Sequence, residues 1–263
     1  MTYEELPGLN WSTLKLLATS PRMLKHRAKV PRQDTSALAL GRAIHCALLE
    51  PHDFESRYAV APTFEGKGSR AMKATWLAER APEVTWLDQD DYDLAQRCAG
   101  SIAEHPAAMS LIVGGRREET VQWTDATTGI KCKARLDNIR PSDLSDIKST
   151  RHGTPRKFLS DASSLLYHGQ LAWYHDGAIA AGVLPADAER PSVVAVQTTE
   201  PYDVMPFRMT EAALWAGRSL WQSLIRRFAE CKAADFWPGV APGILDYDVT
   251  PWADVGQEES EEF

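Results

Sequence analysis

Long apolar runs are missing from this 263-residue sequence, which has no stretch of the roughly 18 apolar residues that a helix needs to cross a bilayer. Its four cysteines are widely scattered and form neither a CxxC pair nor a spacing typical of zinc or iron–sulfur sites: Cys46, Cys98, Cys132 and Cys231. The first residues, MTYEELPGLNWS, lack the apolar segment of a secretory signal. We therefore expect no membrane partner, no Fe–S cluster and a cytoplasmic protein with free thiols.

An excess of positive charge is also missing, since 36 acidic residues outnumber 29 Lys and Arg and the formal net charge is −7. This balance argues against a protein that coats nucleic acid. Residues 253–263 hold five acids and no base, and we expect them to be a disordered acidic tail. Residues 22–32 and 147–160 carry five and four Lys or Arg, respectively, and no acid. Local basic patches on a nearly neutral body suit an enzyme that grips nucleic acid in a groove, although such patches are often only solvated faces.

Periodicity indicates both helices and strands. Apolar residues make up 44% of the chain, which is ample for a globular core. Helices are predicted from residue 10 or 12, from 21, and over 35–49, 69–81, 90–104, 160–182 and 210–233. Strands are predicted over 119–124, 130–137, 144–149, 192–199 and 203–207. We therefore expect one α/β domain over residues 1–252, with a mostly helical part (1–105) that includes an N-terminal extension, and a part (106–252) that holds the sheet.

The segment LDNIRPSDLSDIK, residues 136–148, predicts a β-hairpin with Asp137 at the end of one strand and Asp146 and Lys148 on the next. Because residues two apart on a strand share a face, Asp146 and Lys148 project to the same side. Paired carboxylates hold a hard divalent cation, and a lysine orients water or stabilises developing charge, as metal-dependent phosphodiester cleavage requires. Two other acid-x-Lys triplets, at 65–67 and 230–232, have no acid on a preceding strand.

Two neighbours of the hairpin add candidate ligands. The backbone carbonyl of Ile147 is expected to point toward the same metal, because alternate strand atoms share a face. Glu119 has the parity of Trp123, so that if Trp123 points inward, Glu119 does too while Glu118 faces out. Glu119 is therefore the predicted catalytic glutamate, as a second-metal or water-bridged ligand. Plain surface charge is the alternative for either glutamate.

Other polar residues stand on predicted helices. His45 interrupts an apolar helix, where a lone histidine is more often a satisfied core residue than a ligand. Tyr167, Gln170 and Tyr174 form one stripe at i, i+3 and i+7 on the helix that follows the Asp-Ile-Lys strand. The stripe is either ordinary packing or a source of hydrogen bonds to a nucleophilic water or a DNA phosphate.

Together these motifs resemble a known family. The order Asp137, then Asp146-Ile147-Lys148, then Tyr167-His168-x-Gln170-x-x-x-Tyr174 resembles the PD-(D/E)XK nucleases of the RecB/RecE branch. The resemblance is closer to the RecE-like exonucleases (exonuclease VIII type) of phages and prophages. Further similarity lies in residues 10–21, 41–51 and 123–137, so that the match covers roughly residues 9–182.

The resemblance implies the PD-(D/E)XK nuclease fold, with a central mixed sheet flanked by helices. It makes His45 a metal-site residue and implies hydrolysis with two Mg²⁺ ions, for which we expect Mn²⁺ to substitute. The implied metal ligands are His45, Asp137, Asp146 and the carbonyl of Ile147. Lys148 would help to activate water, with Gln170 and Tyr174 in support.

The same resemblance implies a substrate and partners. Such enzymes resect linear double-stranded DNA ends, 5′ to 3′, and leave a 3′ single strand for a single-strand annealing protein. They tend to be ring-shaped homo-oligomers, which would concentrate basic residues inside a channel. If the chain is phage-encoded, the expected location is the cytoplasm of the bacterial host.

Alternatives remain open at this point: a structure-specific or restriction-type endonuclease on the same fold, or a DNA-binding accessory protein whose site has decayed. The complete set of acids and Lys148 argues against decay. Candidate DNA contacts follow from charge and position alone: Arg42, Arg70, Lys73, Arg151, Lys157 and Tyr167.

Overall fold

In the computed structural model, which describes residues 3–30, 35–241 and 243–246, most helices begin where the sequence supplies a cap. The helices are α1 Trp11–Leu14, α2 Pro21–Arg27, α3 Ser36–Leu49, α4 Pro51–Arg57, α5 Ser69–Glu79, α6 Gln89–Ala103, α7 Pro106–Ile112, α8 Pro155–Ser164, α9 Tyr167–Ala180 and α10 Glu211–Ala234. Side chains that accept a backbone N–H at the first turn are those of Asn10, Ser20, Thr35, Asp88, His105 and Thr210. Capping therefore sets many of the helix starts.

The strands form one large and one small sheet. Their bounds are β1 Tyr58–Val60, β2 Thr85–Leu87, β3 Arg116–Thr124, β4 Lys131–Ile139, β5 Leu144–Thr150, β6 Ser192–Gln197 and β7 Val204–Arg208. The large sheet has the order β3-β4-β5-β6-β7, in which only β5 and β6 are parallel neighbours, while β1 and β2 form a separate parallel pair. The expected central mixed sheet flanked by helices is therefore confirmed.

Apolar side chains cover both faces of the large sheet. On one face, Leu136 of β4 belongs to a buried cluster with Trp173 of α9 and Ile225 of α10. On the other face, Ile147 of β5 and Val194 of β6 belong to a second cluster with α3 and α6. Strand β6 is thus buried on both sides, which explains its nearly continuous apolar sequence.

Several elements differ from the prediction. The single helix expected over 160–182 is two helices, α8 and α9, separated by Leu166 in a left-handed conformation with φ 61°. Pro51 ends α3 as expected, but it also begins α4, because proline suits the first turn of a helix. The strands β1 and β2 and the helix α7 were not predicted. The tail at 253–263 lies outside the described residues, and the division into one domain stays a prediction.

Within the described residues, no helix is both long enough and apolar enough to cross a bilayer.

The crossing of α9 and α10 depends on Gly217. A Cβ atom there would overlap the carbonyl oxygen of His168 and lie 2.8 Å from the Cβ atom of Ala172. We expect Gly217→Ala to lower the free energy of unfolding, measured in urea, by about 1–3 kcal/mol, because a backbone carbonyl cannot move aside. Gly100→Ala in α6 is the control, since nothing lies within 4 Å of its added Cβ. That change should raise stability by up to about 1 kcal/mol; equal effects at both positions would refute the packing argument.

Candidate active site

The site lies where β4 and β5 separate. These strands pair only at Asn138 with Ser145 and at Ile139 with Leu144, next to the hairpin turn. Beyond this short ladder they diverge, and a cavity of about 860 Å³ opens beside Asp137 and Asp146. Asp137 and Asp146 are the first residues beyond this ladder on the side away from the turn, where the strands begin to separate. The hairpin itself is confirmed, with β4 continuing two residues beyond Asp137.

Three of the expected ligand groups meet at this fork. The Oδ2 atom of Asp137 accepts a 2.9 Å hydrogen bond from the backbone N–H of Ile147, which ties the two diverging strands together. The same oxygen lies 3.5 Å from Nδ1 of His45, and Nε2 of His45 lies 2.9 Å from the carbonyl oxygen of Ile147. Helix α3 therefore places His45 at the fork, where its ring contacts polar groups, and not within the apolar core.

Of the two candidate glutamates on β3, Glu118 lines the cavity and Glu119 does not. The Glu118 carboxylate lies with the donor atoms of His45 and Asp137 in a group whose members are all within 4.8 Å of one another. Glu119 instead lies 3.5 Å from Arg116 in an ion pair. The structure therefore brings Glu118, and not the predicted Glu119, to the cavity. In the β3–β4 register Arg117 pairs with Asn138 and Glu119 with Leu136, so Glu118 lies between these pairs at the level of Asp137.

Asp146 and Lys148 form a buried ion pair on β5, with side-chain exposures of 2% and 16%. Burial raises the pKa of Asp146 to about 6, although the Lys148 ammonium opposes this shift. Burial alone would lower the pKa of Lys148, but the carboxylates of Asp146 and Asp137 raise it above its ordinary value. The lysine is therefore a permanent cation at neutral pH, held at the wall of the cavity.

The helix α9 brings the predicted aromatic and amide stripe to this pair. The Lys148 Nζ atom lies 5.0 Å from the centre of the Tyr167 ring. Gln170 and Tyr174 both line the cavity, and Nε2 of Gln170 donates a 2.8 Å hydrogen bond to Oη of Tyr174. Burial raises the pKa of Tyr174, so its phenol keeps its proton. The phenolic O–H therefore remains a donor.

The predicted DNA contacts separate into two groups. Arg42 lines the cavity and Tyr167 packs on Lys148. The other four lie on α5, after β5 or on α8, and none of them lines the cavity: Arg70, Lys73, Arg151 and Lys157. The sequence reasoning missed further basic and aromatic residues of the cavity wall: Tyr3, Lys15, Arg57, Lys133 and Arg135. The period-two pattern of β4 places Lys133 and Arg135 on the same face and was a usable signal.

The donor set suits a hard divalent cation. Carboxylates and a backbone carbonyl are ligands that Mg²⁺ and Mn²⁺ prefer, and imidazole is compatible with Mn²⁺. His45, Glu118 and Asp137 supply three donors, and the Ile147 carbonyl lies in contact with His45. Burial and the nearby Asp137 carboxylate raise the pKa of Glu118, while Arg135 opposes that shift. A bound cation would relieve this accumulation of negative charge.

Fold and site together define a nuclease of the PD-(D/E)XK class. The family model described as "PDDEXK-like domain of unknown function (DUF3799)" matches residues 11–247, and the chain belongs to that family.

One solved structure agrees with the fold. A crystal structure from Eubacterium rectale, described as a putative exonuclease, has a TM-score of 0.63 and 12% sequence identity, with 98% of each chain covered. The crystal structure of SSO0001 covers 81% of this chain and 86% of its own at 14% identity, but its TM-score of 0.27 supports no argument. No curated protein matches this chain.

Proposed function

We propose that this protein is a Mg²⁺-dependent exodeoxyribonuclease that resects linear double-stranded DNA ends, 5′ to 3′, and leaves a 3′ single strand. The observation that carries the proposal is the meeting of His45, Glu118, Asp137 and the Ile147 carbonyl beside the buried Asp146–Lys148 pair. The description of the Eubacterium rectale protein supports the exonuclease reading.

The residues that would hold metal are His45, Glu118, Asp137, Asp146 and the Ile147 carbonyl. A bound divalent cation supplies Lewis acidity, which activates water and stabilises the leaving oxygen. The ammonium of Lys148, fixed by Asp146, is placed to orient the attacking water or to stabilise negative charge on the phosphate. Tyr174 accepts a hydrogen bond from Gln170, so its own proton is available to water or to a phosphate oxygen.

Basic residues on the cavity wall explain how an acidic chain could hold DNA. Lys15, Arg42, Arg57 and Arg135 all line the cavity, where Arg57 and Arg135 form ion pairs with Glu50 and Glu118. These cations suit a polyanionic strand on a chain whose net charge is −7. We further propose a ring-shaped homo-oligomer, a single-strand annealing protein as partner and action in the cytoplasm, which is that of a bacterial host if the gene belongs to a phage. Light scattering coupled to gel filtration tests the ring.

One digestion experiment tests the activity. We expect the parent protein with Mg²⁺ to degrade linear duplex DNA labelled at its 5′ ends to 5′-phosphorylated mononucleotides, and to leave a covalently closed circular duplex intact. Chelation of the metal and Asp146→Asn should each prevent digestion. Release of label from the 3′ ends first would reverse the polarity, and cleavage of the circle would favour the endonuclease. If neither DNA is cut although the protein binds Mn²⁺, the proposed function is wrong.

A further inference from the structure

The N-terminal strap, residues 3–9, occupies the edge of β4 that β5 leaves open. Leu9 forms a parallel bridge to Cys132: its N–H donates to the carbonyl of Lys131 at 2.8 Å, and its carbonyl accepts from the N–H of Lys133 at 2.9 Å. Gly8 adopts φ 141°, and an added Cβ there would lie 3.0 Å from the backbone of Cys132. The strap is therefore built into the sheet, and its first residues line the cavity.

Lys133 donates its side-chain hydrogen bonds to this strap. Its side chain is buried, and Nζ donates to the carbonyl oxygens of Tyr3, Glu4 and Leu6 at 2.8, 3.4 and 2.7 Å. An ammonium has three N–H donors, so all three have an acceptor. A buried cation is tolerated only when it is satisfied in this way. Lys133 therefore fixes the strap to β4, and its ammonium has no N–H left to donate to a ligand.

Arg135, two residues further along β4, differs from Lys133 because some of its N–H donors are not used by the part of the protein that the structure describes. Its Nε atom lies 3.0 Å from the Glu118 carboxylate, and its Cζ atom lies 5.3 Å from the centre of the Tyr3 ring. The guanidinium group is thus held by a carboxylate and by an aromatic ring. Its side chain is 43% exposed and lines the cavity. Within the described part of the chain, its two terminal amino groups make no hydrogen bond.

We propose that Arg135 binds a phosphate oxygen of the nucleic-acid strand, and that the strap positions it through Tyr3; this inference rests on the proposed function. A guanidinium group stays charged and presents paired donors that match a phosphate. Contacts with Tyr3 and Glu118 restrict its rotamers before the ligand arrives, so less entropy is lost on binding. Because Glu118 also belongs to the candidate metal cluster, the bound phosphate lies next to the ligands that would hold the cation.

The test measures binding without cleavage. A fluorescent duplex is titrated with protein in Ca²⁺ at several salt concentrations. We expect Arg135→Gln to weaken binding roughly tenfold, as loss of a charged hydrogen bond would, and to reduce the slope of log K against log salt by about 0.9. Arg135→Lys should retain the slope, because it retains the charge. Arg208→Gln, which removes the same charge on the edge strand β7, should change neither quantity.

Tyr3 is tested as a positioning residue. Tyr3→Ala should weaken binding in the parent protein but add little when Arg135 is already Gln, whereas Tyr3→Phe should behave as the parent. Thermal unfolding checks that each variant is folded. A parental affinity and slope in Arg135→Gln, or an equal loss in Arg208→Gln, would overturn the inference about Arg135. If the Arg135 tests fail in this way but the parent cuts linear duplex, the proposed function still stands. If the parent neither binds nor cuts duplex, the inference about Arg135 and the proposed function are both wrong.

Discussion

Lys148→Met is expected to reduce the rate of DNA cleavage by about 10²–10⁴-fold, the range typical for loss of a positioned proton-transfer or charge-stabilising group. Methionine keeps most of the volume of lysine, so the wall of the cavity is preserved while the ammonium group is lost. The rate should be measured in single-turnover digestion of linear duplex at saturating Mg²⁺. Lys232→Met, an exposed position in the last turn of α10, is the matched control and should digest DNA at the parental rate.

Lys148→Met should also lower stability, and a second variant separates this loss from the loss of activity. Without Lys148, the carboxylate of Asp146 is buried without its cation, and breaking a buried pair in this way typically costs about 3–5 kcal/mol. Asp146→Asn combined with Lys148→Met leaves no buried charge, so the double variant should regain stability in urea but not activity. A folded Lys148→Met variant that cuts at the parental rate would exclude Lys148 from the chemistry.

The hairpin of the site could be predicted because its signals are local. Period-two alternation and the Pro141-Ser142-Asp143 turn define β4 and β5, and the spacing of Asp146 and Lys148 places both on one side. The ion pair between them bears out that geometry. For this hairpin, the local sequence is sufficient to predict the local structure.

The direction of the glutamate could not be obtained from strand parity. Counting back from Trp123 leads to the wrong face, because Trp123 packs on Trp173 in the apolar cluster under α9. The β4 residues Arg135 and Asp137, which line the cavity, alternate with the residues of that cluster. The register with β4 is the better guide, since Glu118 lies between the pairs Arg117–Asn138 and Glu119–Leu136, at the level of Asp137. A register between two strands contains this information, and the periodicity of one strand does not.

The remaining parts of the site depend on contacts between distant segments. His45 reaches the Ile147 carbonyl across 102 positions of the sequence, and Lys133 reaches the Tyr3 carbonyl across 130. Residue physics favoured a core role for His45, and only the family resemblance indicated a metal-site role. The strap has no periodicity that would predict its place beside β4. Such contacts follow from the packing of the whole chain.

Asp137→Asn is expected to remove metal binding and activity without a loss of stability. Loss of a ligand forfeits several kcal/mol of stabilisation of the transition-state charge, which corresponds to a cleavage rate at least about 10³-fold lower. The asparagine carbonyl can still accept the hydrogen bond from the N–H of Ile147. Repulsion with Glu118 and Asp146 is relieved at the same time, while the attraction between Asp137 and the Lys148 ammonium is lost. Because these changes oppose each other, the metal-free variant should be close to the parent in stability.

Asp143→Asn, in the turn of the same hairpin, should show the opposite behaviour. Asp143 forms an ion pair with Arg140, whose Nε atom donates to it at 2.7 Å, and it lies outside the candidate metal cluster. We expect this variant to lose about 1–3 kcal/mol of stability and to bind Mn²⁺ as the parent does. Calorimetric titration measures the binding, and urea unfolding with and without metal measures stability, since a ligand that binds only the folded state stabilises it. Parental Mn²⁺ affinity in Asp137→Asn would show that the fork between β4 and β5 is not the metal site.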